Sequence, residues 1–353
     1  MNTPILACDA RNAQRTLRGS FRPRRQYFRA KILGVALAAV IFALVALLVS
    51  GMAQATSTSC SGVQLYPGDD LSLLAAAHAP GTTYCINDGN YSVASNIVVQ
   101  DGDTFSGVYL DTTRPAVSTT TAEHIFHTQE ADNVTITGLS ISGAVHNDAC
   151  EPDCGRAIGG EGQNLLVENV RAHHNENQGI GGTGDGLVVL NSTFDHNGNA
   201  DSARDGGLVS AAGIKSVDSM YIYNSRFTDN YWAGVWCDIE CGAFEVHDSY
   251  FSGNGKAGIA NEISSGPALF EGNTIQNNGM LPTANRHTGL LIVDSKNVKA
   301  YNNTFGGNAH YGVQSAQTGR APGLGNVSIY ANTMNGDALT GCSISGVSCE
   351  TNK

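Results

Sequence analysis

The chain has 353 residues, 41% of them apolar, with 42 glycines beside 9 prolines, which is enough to bury a core and implies many turns. The formal charge of −11 is unevenly split: residues 1 to 55 carry eight Lys/Arg and one acid, so of 20 basic and 31 acidic residues the remainder holds 12 and 30, a net of −18. A body that acidic excludes nucleic acid and anionic membranes as electrostatic partners, and suits an exported protein that handles neutral polymers or uses bound cations.

The N-terminal basic stretch ends in RPRRQYFRAK and runs into an apolar segment from Ile32 to Val49, followed by Ala53-Gln54-Ala55, the small-x-small form of a signal peptidase site. Residues 1 to 55 are therefore expected to be an export signal. The apolar run is 18 residues long, close to the ~20 that span a bilayer, so the alternative is an uncleaved anchor that touches the membrane through residues 32 to 49 alone. Arg24-Arg25 followed by Gln26, Tyr27, Phe28 and Arg29 also resembles a twin-arginine export signal. Next, Asp69-Asp70 ahead of LSLLAAAHA predicts a short, N-capped amphipathic helix ended by Pro80-Gly81, and residues 60 to 81 are the candidate cap for the core that follows.

From there the chain repeats itself. ITGLSISGA from Ile136, VENVRAHHN from Val167, VLNSTFDHN from Val189 and IYNSRFTDN from Ile222 are followed by VHDSYFSGN from Val246, FEGNTIQNN from Phe270, AYNNTFGGN from Ala300 and IYANTMNGD from Ile329, at spacings of 31, 22, 33, 24, 24, 30 and 29 residues. One column (Ile136, Val167, Val189, Ile222, Val246, Phe270, Ala300, Ile329) and a second (Ile141, Ala172, Phe194, Phe227, Phe251, Ile275, Phe305, Met334) are apolar, as stacked inward positions of short strands should be. A third reads Asn175, Asn197, Asn230, Asn254, Asn278 and Asn308, which predicts a structural ladder of amides bonding from turn to turn.

Short strands restacked at a variable period fit a parallel solenoid, in which insertions loop out without disturbing the stack. The repeat resembles that of the right-handed parallel β-helix proteins of the pectate-lyase-like superfamily, over roughly Thr82 to Ser345. The resemblance implies an all-β fold of coils over residues 82 to 345 in a domain of residues 56 to 353. Its implication for chemistry is broad, because the scaffold hosts lyases, hydrolases, epimerases and non-catalytic surface proteins.

Cys8 lies in the N-terminal segment, and the other eight cysteines fall into close neighbours: Cys60 with Cys85, Cys150 with Cys154, Cys237 with Cys241, Cys342 with Cys349. An even count in an exported chain predicts disulfides rather than metal ligands.

Candidate chemistry sits on the strand that opens with Gly and an apolar residue: GIGGT from Gly179, GIKSV from Gly213, GVWCD from Gly234, GIANE from Gly258, GLLIV from Gly289 and GVQSA from Gly312. With the residue after Gly inward, alternation sends the third and fifth residues outward. Lys215, Trp236, Asp238 and Glu262 then meet on neighbouring coils, with Asp238 and Glu262 direct neighbours about 4.8 Å apart. Two such carboxyls must share a proton or recruit a cation or a lysine. The long connections at residues 199 to 212 and 279 to 288 would flank this floor as a groove, and bring Arg204, Arg286 and His287 as anion or proton-transfer groups.

His174 and His196 share a column and are expected to stack as exposed turn residues. The run Asp195, Asn197, Asn199, Asp201 imitates the start of a calcium loop, but Ala200 and Gly206 stand where such a loop needs Gly and an acid.

These residues predict a secreted or cell-surface, monomeric β-helix that binds a polysaccharide along the groove. As a glycoside hydrolase, Asp238 and Glu262 divide the acid and base or nucleophile roles. As a polysaccharide lyase, Lys215 or an arginine takes the proton beside a uronate carboxylate, Trp236 stacks on a sugar ring and the two acids hold Ca2+. The polygalacturonase signatures Asn-Thr-Asp, Gly-His-Gly and Arg-Ile-Lys do not occur in the chain. The other expectation is a non-catalytic adhesion protein, which two tryptophans and few outward aromatics would favour.

Overall fold

Short alternating runs leave each strand too few hydrogen bonds to pair with its sequence neighbour and turn back. Each instead lies parallel to its counterpart one repeat away, as one coil illustrates: Ala233–Asp238, Phe244–His247 and Tyr250–Ser252, after which Ala257–Glu262 returns beside the first. The computed structural model describes residues 59–109, 113–146, 154–199, 211–282 and 286–353, all within one compact unit, Thr56–Lys353. The expected signal or anchor, Cys150, Asp201 and Arg204 lie outside them. Among the described residues the coils build three parallel sheets of twelve, ten and nine strands, an all-β solenoid. No described helix is long and apolar enough to cross a membrane.

Both apolar columns are in register. Val167 lies opposite Ile136 and Val189, Ile222 opposite Val189 and Val246, and Phe270 opposite Val246 and Ala300, in the twelve-stranded sheet. Phe194, Phe227 and Phe251 follow one another in the nine-stranded sheet, their rings stacked at 5.1 and 4.9 Å and nearly parallel. Fully burying each such ring contributes about 1.5–3 kcal/mol, and the offset stack roughly 0.5–1.5 kcal/mol more per pair.

The asparagine column is a ladder. Nδ2 of Asn175, Asn197, Asn230, Asn254 and Asn278 donates to Oδ1 of the next asparagine at 2.9, 3.1, 2.9, 2.9 and 3.0 Å, and Asn308 closes the series on Asp337 Oδ2 at 2.6 Å. The second amide proton from Asn197 onward goes to a core-strand carbonyl, such as Phe194 O for Asn230. A second ladder occupies the turn between the other two sheets: Ser192, Ser225, Ser249, Asn273, Asn303, Asn332 and Asn352 each present a side-chain oxygen to the backbone N–H one coil back. In the sequence it was visible only as recurrent Asn-Ser and Asp-Ser turns.

Glycine follows the first ladder because coils approach closely there. A Cβ on Gly234 would lie 2.6 Å from Gly258 O and 2.8 Å from Phe251 Cδ1. Disulfides join Cys60–Cys85, Cys237–Cys241 and Cys342–Cys349, and Cys154 is also disulfide-bonded. The expected helix spans Leu71–Ala77, with Asp70 Oδ1 accepting from Leu73 N at 3.0 Å and with Leu71 and Ala75 in the core.

The outward aromatic residues that do occur gather mainly on one sheet. Tyr223, His247, Tyr301 and Tyr330 fall in one column on the outer face of the twelve-stranded sheet, because the residue after each inward position must face out.

Two stability measurements follow. Asn254→Ala strands the backbone N–H and amide of Asn230 in the interior and should cost roughly 2–3 kcal/mol, read as a lower urea midpoint at unchanged slope. Asp70→Ala removes only the helix N-cap and should cost about 1 kcal/mol by the same assay.

Candidate functional site

The ten-stranded sheet positions the predicted residues as the alternation requires. Lys215 pairs with Trp236, Trp236 with Ala260, and Asp238 with Glu262 across adjacent strands. The face is nevertheless closed rather than open. Small residues at Ala212, Ala233, Ala257 and Ala260 leave space over the strands, and Trp236, Leu291 and Val293 fill it as an apolar cluster separate from the main core, with Trp232 packed against it. Trp236 is only 7% exposed.

Each of the two carboxylates has a lysine of its own. Asp238 Oδ2 lies 3.2 Å from Lys215 Nζ, and Glu262 Oε1 lies 3.1 Å from Lys256 Nζ and 3.8 Å from Arg286 Nη1. Both lysines also sit against Trp236, Lys215 Nζ at 4.1 Å and Lys256 Nζ at 4.5 Å from a ring centroid, with Lys256 5.3 Å from Trp232. The indole of Trp236 thus carries ammonium groups where a sugar ring was expected to stack. Burial lowers the Lys256 pKa; Glu262 and Asp238 oppose that shift and Arg286 adds to it. The Nε1 atoms of Trp232 and Trp236 and Oε1 of Gln314 are buried without a hydrogen-bond partner among the described residues.

Calcium does not fit here. It takes 6–8 oxygen ligands, whereas these two carboxylates are each met by an ammonium group and are outnumbered by Lys215, Lys256 and Arg286. The calcium-loop imitation fails as well: Asp195 accepts both Arg171 Nε and Nη2, at 2.8 and 2.7 Å, and Asn197 belongs to the ladder.

Lys256 and Trp232 were missed. They stand two residues ahead of Gly258 and Gly234, outside an alternation counted forward from the glycine, and a column counted backward contains Trp232, Lys256, His287 and His310. His287 Nδ1 donates to Gly279 O, 2.6 Å away, and its ring lies 4.6 Å from that of His310, so it is set apart from the ion pairs in hydrogen bonding. His174 and His196 stack as expected, 4.9 Å apart and parallel within 2°.

The same outer face continues toward the N-terminus with His124, Arg156 and Gln178 on adjacent strands. Burial, then His127 and Arg156, push the His124 pKa down to about 3, so the imidazole is neutral in the fold. Unfolding returns it to about 6.5. The folded state then binds fewer protons, so this stability is full above pH ~6.5 and is lost as the pH falls from there toward ~3. His124→Asn should lose less stability than the parent between pH 7.5 and 4.5, measured by urea midpoints.

No curated protein matches the chain in sequence. Among solved structures it is similar to PfbA, a surface adhesin of Streptococcus pneumoniae, at 13% identity and a TM-score of 0.56 over 76% of this chain and 74% of that one. It is also similar to the Dettilon tailspike protein, at 13% and 0.51 over 82% and 60%, and to pectate lyase Pel9A, at 16% and 0.48 over 84% and 80%. At these identities the likeness is one of fold. The pattern of the family described as "Right handed beta helix region" matches residues 124–280 and 210–352, well over half of the 353 residues, and the chain belongs to that family.

Proposed function

We propose that this is an exported β-helix protein that binds an acidic polysaccharide on the outer face of the ten-stranded sheet and acts on it by removing a proton beside a uronate carboxylate. The observation that carries the reading is a local excess of basic side chains, Lys215, Lys256 and Arg286 against Asp238 and Glu262, on a body whose net charge is −18. Two buried indole N–H groups without partners among the described residues add donors suited to carboxylate or hydroxyl oxygens. A hydrolase needs one carboxyl protonated and the other free. Here each carboxylate is already engaged by a lysine, at 3.1 and 3.2 Å, so the two are not left to divide acid and base roles, which favours elimination over hydrolysis.

In this reading Lys256 acts in its neutral form, which burial favours, and takes the proton, while Arg286 and Lys215 neutralise the substrate carboxylate. The electron pair forms a carbon–carbon double bond, the glycosidic C–O bond breaks, and the departing oxygen takes a proton. Glu262 and Asp238 position the two lysines. Arg204 and His287, on the flanking connections, would contact more of the polymer. The disulfides support an oxidising, extracellular setting, with residues 1 to 55 as the export signal or anchor.

A second reading, an adhesion protein that binds without turnover, is favoured by the burial of Lys256 and Glu262 as an already satisfied pair. The surface adhesin among the similar folds is in keeping with it.

One experiment separates them. The full-length chain is incubated with polygalacturonate and alginate, and the unsaturated product is followed by ultraviolet absorbance. Turnover is expected to fall on the order of 100-fold or more in Lys256→Met, with thermal melts confirming that the variant is folded. Glu262→Gln should weaken turnover through the lysine it holds. Binding with no product would support the adhesin, and undiminished turnover in Lys256→Met would sink the proposed chemistry.

A further inference from the structure

The outer face of the twelve-stranded sheet is untouched by that reading, and its composition is not that of a solvated surface. The neighbouring nine-stranded sheet turns out Arg171, Thr193, Arg226, Tyr250, Thr274 and Thr304 in one column, with a single aromatic residue already covered by Arg226. The twelve-stranded sheet instead turns out Tyr223, His247, Glu271, Tyr301 and Tyr330 in one column, with Tyr221 and Leu269 in the next. The tyrosines are half-buried, and the rings are held in pairs: Tyr223 with His247 at 5.0 Å and 8°, and Tyr301 with Tyr330 at 5.1 Å and 9°. Rings held in this way lose little entropy when a partner arrives.

Charge identifies the partner. Glu168, Glu245 and Glu271 lie in the same two outward columns, against the single lysine Lys299. Glu245 and Glu271 flank His247 at 3.4 and 3.7 Å, and Tyr301 donates its hydroxyl to Glu271 at 2.7 Å, so the carboxylates are fixed beside the rings. Burial and then Glu271 push the Tyr301 pKa up to about 12, which keeps its hydroxyl protonated and donating. Such a surface repels uronates and phosphates and attracts cations. The chain itself demonstrates the seating on the adjoining sheet, where the Arg226 guanidinium lies 4.1 Å over the ring of Tyr250.

We propose that this face docks an extended, arginine-rich protein segment, whose guanidinium groups stack on the tyrosines and pair with Glu245 and Glu271. Arginine suits the site better than lysine because its planar, weakly hydrated group can do both at once.

The test uses the full-length chain and three fluorescent probes, nona-arginine, nona-lysine and a fully deacetylated glucosamine hexamer, followed by polarisation at low and physiological salt. Nona-arginine is expected to bind most tightly. Glu245→Gln with Glu271→Gln should weaken it about tenfold, the sum of two modest surface pairings, while Glu130→Gln, at an exposed corner elsewhere, changes it less than about twofold. Tyr301→Leu with Tyr330→Leu should abolish the preference for arginine over lysine. The glutamine variants remove charge while keeping side-chain size and an oxygen to accept the Tyr301 hydroxyl, so they remain informative even where the leucine pair fails to fold. Absence of nona-arginine binding, an equal loss in Glu130→Gln, or tighter binding of the glucosamine hexamer would each overturn the proposal.

Discussion

Everything in this molecule depends on how the turns between strands satisfy their amides in the dry interior. A coil must turn a corner three times in 22 to 33 residues to come back parallel to itself, and each corner points polar groups at the core. The asparagines solve this at one corner by giving one amide proton to the next asparagine and the other to a strand carbonyl, while Oδ1 accepts from the coil before, as at Asn230. An unpaired amide in that position would cost more than most single contacts in the core contribute.

Because the ladders tie each coil to the next at one spacing, the outer columns are brought into line as well. That alignment places Lys215 beside Trp236 and Asp238 beside Glu262 without any contact between those side chains being needed for folding. The scaffold thus separates two tasks. Inward columns and corners hold the stack, and outward columns are free to vary face by face, which is how one chain carries a cation-rich cluster on one sheet and a tyrosine and glutamate strip on another.

Periodicity made the architecture legible. Residues that repeat by column, such as Phe194, Phe227 and Phe251 or the asparagines, could be placed to the exact rung, since a one-residue slip would turn the whole set outward. The candidate site was legible only in part, because its features break the period. Trp236 is outward by alternation yet covered, a result of alanines on the neighbouring strands that no single-strand pattern records. Lys256 reaches Glu262 from six residues earlier in the same coil, a side-chain path that strand alternation does not describe. The tyrosine column was present in the repeats throughout, hidden because the inward residues beside it carried the pattern.

The ladder also has a direction. Every member from Asn175 to Asn278 passes protons toward the C-terminal coils, so the aligned amides present a partly positive end there, and Asn308 meets a carboxylate, Asp337, instead of another carboxamide. A carboxylate can receive these protons but has none to hand on. Asp337 is therefore a chemical full stop: the same column that recruits each successive coil is written so that a further copy, or a neighbouring molecule, finds no donor on which to continue it.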